Sequence, residues 1–230
     1  MLRRVLLPLT LLCCGALSWA ASAAEPAAEE KPFYLTLETP PAPELTPEQA
    51  LKSFSLAPGF TIELLAAEPL VEDPVAITWD EQGDLYVVEM RGFMPDAWGR
   101  GADEPVGAVV RLADTDGDGL PDQRQVLMSG LVLPRAVAIV NEGMLVAEPP
   151  HLWLCPGKPG TDEDIDCSKR VSLGEYGNQP GSVEHAENGL LLTLDNWLYS
   201  AKSNRRLKIV NGALLEEPTL FRGQWGITQD

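Results

Sequence analysis

Residues 184–203 read Glu-His-Ala-Glu-Asn-Gly-Leu-Leu-Leu-Thr-Leu-Asp-Asn-Trp-Leu-Tyr-Ser-Ala-Lys-Ser. An acid and a histidine stand just before an Asn-Gly turn. An apolar run, an Asp-Asn turn and a second run ending in Trp-Leu-Tyr follow. Short Asp, Asn or Gly turns between alternating apolar runs are hairpin signals, because these residues tolerate the backbone angles of a tight reversal. His185 is one of only 2 histidines in the 230 residues.

The same layout recurs along the chain. Val75-Ala76-Ile77-Thr78-Trp79 is followed by the turn Asp80-Glu81-Gln82-Gly83 and by Asp84-Leu85-Tyr86-Val87-Val88-Glu89. Ala136-Val137-Ala138-Ile139-Val140, the turn Asn141-Glu142-Gly143 and Met144-Leu145-Val146-Ala147-Glu148 form another pair. Residues 60–65 read as a strand that precedes them, and residues 224–230 as the first half of a further hairpin. A repeated hairpin unit predicts an all-β fold, a β-propeller, with a histidine-bearing site at its mouth. A β-sandwich built of similar hairpins is the alternative. The repeats are unevenly spaced, so loops differ between blades. Only about the first three to four blades are present, too few to close a ring. The chain is therefore expected to be the front portion of a longer protein.

The start of the chain has a different character. Arg3 and Arg4 precede an apolar run that ends near the small residues Ala21-Ser22-Ala23, the pattern of a cleaved signal peptide over residues 1–23. The run is too short for a stable membrane span. Secretion or a periplasmic location is expected, with an uncleaved or lipid anchor near Cys13 and Cys14 as the alternative. Residues 24–45 are rich in Ala, Glu and Pro and read as a disordered linker. Thr46-Pro47-Glu48-Gln49 then has the form of a capped helix start, with Ala57-Pro58-Gly59 as its end. Residues 46–230 form the propeller-like domain. The net charge of −17 opposes binding to nucleic acid and to anionic membrane faces. Outside the leader only Cys155 and Cys167 remain, flanking a polar loop, and a disulfide between them is expected in an oxidising compartment.

Three sets of residues carry candidate chemistry. The first is Asp114-Thr115-Asp116-Gly117-Asp118-Gly119-Leu120-Pro121-Asp122. Asp114, Asp116 and Asp118 occupy alternate positions, a glycine permits the sharp turn, the Leu120 carbonyl supplies a further ligand, and Asp122 falls two places on. Gln125 stands where a bidentate glutamate usually closes such a loop, so a structural calcium loop between strands is expected, against an acidic solvated turn. The second set is Glu184 and His185: an imidazole beside a carboxylate can take a proton, and the acid stabilises the imidazolium formed. His151 has no adjacent acid and reads as a loop or packing residue. The third set is charged residues at hairpin ends: Glu89 and Arg91, Arg135, Glu148, Arg205 and Arg206. Such ends face the mouth or rim of a propeller, where ligands bind, or form surface salt bridges. Trp79, Trp153 and Trp197 are expected to pack between blades. No Gly-rich phosphate loop, Gly-x-Ser-x-Gly elbow, His/Cys zinc spacing or Cys-x-x-Cys-His run occurs, which weakens hydrolase, nucleotide-enzyme and haem readings.

The ordered series Val87-Val88-Glu89-Met90-Arg91, Arg111 to Gly119, Gly130-Leu131-Val132-Leu133-Pro134, His185-x-x-Asn188-Gly189 and Asp195-x-Trp197-Leu198-Tyr199 resembles a family of membrane-bound dehydrogenases. That family is similar to the soluble quinoprotein glucose and sorbosone dehydrogenases. The resemblance covers residues 54–230 and implies a six-bladed propeller with pyrroloquinoline quinone at its mouth. It implies His185 as the base that takes the substrate hydroxyl proton, and Glu184, in place of the relatives' aspartate, as its orienting acid. Arg205, Arg206, Arg91, Arg135 and Asn188 are the candidate neighbours of the cofactor. A c-type cytochrome, in the same chain or another, would receive the electrons. Where relatives carry a second Asp/Gly run, this chain has the Cys155–Cys167 region. The expected function is oxidation of a sugar or alcohol. The alternative is a non-catalytic propeller that binds carbohydrate or protein.

Overall fold

A computed structural model describes residues 43–177 and 185–229, and from Leu45 onward these belong to one compact unit. The expected signal peptide, nearly all of the expected linker and Glu184 lie outside the described residues.

The helix α1, Pro47–Ser53, begins as its sequence requires. Gln49 N donates to the Thr46 hydroxyl at 3.3 Å, and Thr46 N donates back to the Gln49 side chain at 2.9 Å. Two of the amides that a helix start leaves without intrahelical partners are thereby satisfied.

Twelve strands follow: β1 (Pro74–Trp79), β2 (Leu85–Glu89), β3 (Gly107–Ala113), β4 (Gln123–Leu131), β5 (Ala136–Val140), β6 (Gly143–Glu148), β7 (His151–Pro156), β8 (Val171–Glu175), β9 (Asn188–Leu192), β10 (Leu198–Ala201), β11 (Ser203–Val210) and β12 (Ala213–Arg222). They form three antiparallel sheets, β1 to β4, β5 to β8 and β9 to β12, each pairing its strands in chain order. The first strands of successive sheets lie side by side, β1 against β5 and β5 against β9. Consecutive four-stranded meanders that meet along their first strands are blades, and the fold is a partial β-propeller.

Burial on both faces explains the stack. In β2, Tyr86 and Val88 join Val109 and Met128 against Val137, Met144 and Val146 of the second sheet. Leu85 and Val87 point the other way, with Val110 and Leu112, and are covered by Ala66, Leu70 and Val71. In β6, Met144 and Val146 face the first sheet, whereas Leu145 and Ala147 face Leu190, Leu198 and Leu207 of the third. Side chains alternate across a strand, so an apolar run in a middle strand serves two interfaces at once. At the β5–β6 turn, Gly143 has φ +144° and a Cβ there would lie 2.0 Å from the carbonyl oxygen of Cys155, so no side chain fits. Cys155 and Cys167 form the expected disulfide, closing the loop between β7 and β8.

Two expected strands are absent. Residues 60–65 belong to none of the sheets, and Phe60, Ile62, Leu64 and Leu65 are exposed. An apolar run needs a neighbouring strand to form a ladder, and among the described residues this one has none. Residues 224–229 are likewise outside any strand.

A carboxylate ties down the chain leading into each blade. Glu89, at the end of β2, accepts from Glu72 N at 3.1 Å. Glu148, at the end of β6, accepts from Val132 N and from the Trp153 indole, both at 2.8 Å. Glu187, just before β9, accepts from Gly177 N at 3.3 Å. Replacing Glu148 with alanine leaves one amide and one indole N–H without their acceptor, at about 1–3 kcal/mol for each donor that stays buried. Glu148→Ala is expected to lower the unfolding free energy in urea by about 2 kcal/mol. A change within measurement error would show that the clamp contributes nothing.

Candidate functional site

The three first strands line a groove of about 740 Å³. Its walls are mostly apolar, from Ile77, Val137, Ile139 and Leu191, with Trp225 and Ile227 also lining it. The hairpin turns gather at one end. There Trp79, Asp80, Asn141 and Asn196 line a second hollow of about 950 Å³. Arg135 and Asn188, at the starts of β5 and β9, mark the opposite, mouth end of the groove.

His185 is exposed and precedes β9 by three residues; it is not among the residues that line the groove. Its Nδ1 lies 3.0 Å from the side-chain amide of Gln224. Asn188 is fully buried. Its amide donates to the carbonyl oxygens of Ala186, at 3.0 Å, and Gln224, at 3.2 Å, while its oxygen accepts from Gly226 N at 2.7 Å. These bonds commit Asn188 to holding the chain around the histidine.

The expected basic residues separate into distinct environments. Arg135 is 4% exposed, lines the groove and donates to the Leu133 carbonyl. Burial pushes its guanidinium pKa below the usual value. Arg91 is bound to Glu89 and, at 3.2 Å, to Glu72. Arg205 donates to Glu187 at 2.8 Å, to Glu216 at 2.8 Å and to the Glu175 carbonyl at 2.7 Å. Arg206 departs most from expectation. It leans toward the hairpin-turn end, bonded to Glu217 at 2.6 Å and 3.5 Å from Asp195, with its guanidinium 4.3 Å from the centre of the Trp197 ring. Residues adjacent in a strand point to opposite faces, which separates Arg205 from Arg206. Thus Arg91, Arg205 and Arg206 are neutralised by carboxylates within the fold.

Sequence reasoning did not single out Glu187, Tyr176 or Gln224. The Tyr176 hydroxyl donates to the Gly189 carbonyl at 2.7 Å and lies 2.9 Å from Ser200 Oγ. Burial, with the Glu187 charge nearby, raises its pKa well above the ordinary value. An acid directly beside Asn188 and a lone tyrosine at a strand end were visible signals for the first two, but a glutamine distant in sequence from the histidine carried none. Among the tryptophans, Trp153 bonds Glu148 and Trp197 lies beneath Arg206, whereas Trp79 is 53% exposed where the two hollows meet. His151 starts β7 and packs against Trp153 with ring centres 4.7 Å apart.

The acidic loop joins β3 to β4. Oxygens of Asp114, Asp116 and Asp118 lie within 4.8 Å of one another on the surface, a donor set that suits a hard cation. Asp122 is outside this cluster and accepts from the backbone amide and the hydroxyl of Thr115. The Leu120 amide donates to Asp118 at 2.8 Å. The backbone N–H groups of Gly119 and Gly117 donate to Asp114 and hold its pKa below the usual carboxylate value. With a depressed folded-state pKa, the support this carboxylate lends the loop is complete above its unfolded value of about 3.9 and is lost as pH falls through the lower folded value. In an amide NMR titration, Gly117 and Gly119 should keep their positions down to about pH 4 and move only below it. A midpoint above pH 4 would refute the assignment.

No helix among the described residues is long and apolar enough to cross a membrane. No curated protein matches this sequence. Among solved structures, a gluconolactonase from Xanthomonas campestris is similar over 69% of this chain and 52% of its own, at 16% identity and a TM-score of 0.44. A luciferin-regenerating enzyme matches over 62% of this chain and 45% of its own, at 15% identity and a TM-score of 0.41. A family AA12 carbohydrate-active enzyme from Trichoderma reesei, in its calcium structure, matches over 61% and 32%, at 19% identity and a TM-score of 0.39. The chain thus spans about half the length of these proteins or less. A family of domains of unknown function, DUF7133, matches residues 46–226, which is nearly the whole described region, and the chain belongs to that family.

Proposed function

We propose that this chain supplies the first blades of a secreted or periplasmic propeller enzyme that oxidises a sugar or alcohol, with His185 as the base at its mouth. The observation that carries the reading is that Arg135 and Asn188 line one end of a groove shared by three blades, with His185 three residues before Asn188 in the chain. The walls of the groove are mostly apolar, and Arg135 and Asn188 supply polar groups at one end of it. The disulfide and the leader-like N-terminus support an oxidising compartment.

The imidazole takes the hydroxyl proton of the substrate. Pyrroloquinoline quinone, when bound, supplies the acceptor for the hydride that leaves the substrate carbon. Its carboxylates call for cations, and of the expected basic residues only Arg135 lines the groove. Arg135 is the residue of these blades that would hold it, and further blades would hold the rest. A c-type cytochrome completes the proposal as electron acceptor. Glu184 remains the candidate acid that stabilises the imidazolium formed, and the Asp114–Asp118 cluster a calcium staple remote from the chemistry.

With full-length protein, quinone, calcium, an artificial electron acceptor and a panel of sugars and alcohols, turnover is expected. His185→Ala should then lower kcat by about 10²- to 10⁴-fold without lowering the melting temperature. Unchanged turnover would remove His185 from the mechanism. Trp79 and Trp225, 53% and 41% exposed at the groove, favour a second reading, a propeller that binds carbohydrate by stacking alone. Sugar binding without redox turnover would select it. In calorimetry calcium should bind the chain, and Asp116→Ala should weaken that binding; no heat in either protein would return the loop to an acidic turn.

A further inference from the structure

The chain beyond β12 turns back across the start of β9 and is built into the mouth. Gly223, at φ +71°, passes so close to β10 that a Cβ would lie 2.8 Å from Ala201 Cβ. One residue on, the Gln224 carbonyl accepts from the buried Asn188 amide at 3.2 Å, and Gly226 N donates to the same side chain at 2.7 Å. The backbone of Gln224 is therefore held on both sides. Its side chain reaches outward to the imidazole of His185, 3.0 Å away. Asn188, Gln224 and His185 make a continuous chain of contacts from the buried start of β9 to the exposed ring.

A neutral imidazole carries one proton, and the partner of Nδ1 decides where it resides. In the orientation seen, the amide nitrogen faces Nδ1 and favours the proton on Nε2. Nε2 then has no lone pair for a substrate proton. A half-turn about the last bond of the glutamine leaves its volume unchanged and puts the amide oxygen there. The oxygen accepts Nδ1–H, and Nε2 becomes the proton acceptor. After proton transfer both ring nitrogens carry hydrogen, and the Nδ1–H bond to the amide oxygen persists.

We propose that Gln224 is the positioning residue of His185, setting through its amide oxygen the tautomer in which Nε2 is the base. The proposal rests on the reading of His185 as a base. Gln224 is an orienting group that does not touch the substrate.

Tautomers are read from imidazole ¹⁵N chemical shifts, independently of turnover. The intact chain carrying His151→Asn has a single imidazole to observe. In the neutral ring the Nδ1–H form should predominate. Gln224→Glu places an acceptor-only carboxylate at the same reach and should keep that form. Gln224→Lys places a donor-only ammonium there and should move the ring to Nε2–H. In turnover assays Gln224→Lys should lower kcat about tenfold or more with little change in KM. A wild-type ring already in the Nε2–H form, or identical tautomers in the two variants, overturns the proposal. If the tautomers shift as expected but His185→Ala keeps full turnover, it is the base assignment that fails, and control of the ring by Gln224 stands.

Discussion

A sheet that is apolar on both faces cannot be stable alone, and the architecture follows from that constraint. β2 and β6 are the strands in question: each sends alternate side chains into different interfaces. The second sheet must therefore lie between the first and the third. Stacking meanders in this way brings their first strands together, and a groove forms where β1, β5 and β9 meet. The groove is a geometric consequence of covering apolar surface elsewhere. The outward face of the first sheet is covered by Ala66, Leu70 and Val71. The third sheet differs: its other face carries Trp197 under Arg206 and Tyr199 under Arg222, with the guanidinium groups 4.3 and 4.5 Å from the ring centres.

Packing orients the blades, and buried charge shapes the mouth. Glu89 and Glu187 have no exposed surface, and each is matched by arginine. Removing one partner of such a pair leaves an uncompensated charge, which costs far more than the pair contributes. Arg91 and Arg205 are thereby committed to carboxylates of the fold, together with backbone groups of the loops leading into the blades. A guanidinium that would suit an anionic ligand also suits a buried glutamate, and sequence position does not distinguish the two uses. Arg135 lines the groove itself, and burial makes its charge costly to maintain.

Much of this was legible in the chain. The Thr46–Gln49 reciprocal cap, the hairpins around Asp80, Asn141 and Asp195, the cysteine pair and the aspartate cluster all follow from local chemistry. In each, the interacting groups are close in sequence, so residue types and spacing suffice. The Asp80 and Asp195 turns even share a device, a turn carboxylate bonded to a tyrosine on the returning strand at 3.0 and 2.9 Å. Residues 60–65 have the alternation of a strand but no neighbour, and a ladder needs two strands. The strands β4 and β12 carry many exposed residues and gave a weaker pattern, because the outer edge of a blade is wetted.

By itself, then, the amino-acid order determined the hairpin units, their turns, the disulfide partners and the position of a rare histidine at the start of a repeat. These are short-range matters of backbone preference and alternation. Only the tertiary structure decided which charges face the groove and which are consumed by neighbours. It turned Arg206 toward the hairpin-turn end, paired Arg205 with Glu187, and brought Gln224 to His185. Each of these is a contact between strands or segments whose relative placement depends on how the sheets stack, and stacking is a property of the whole buried surface.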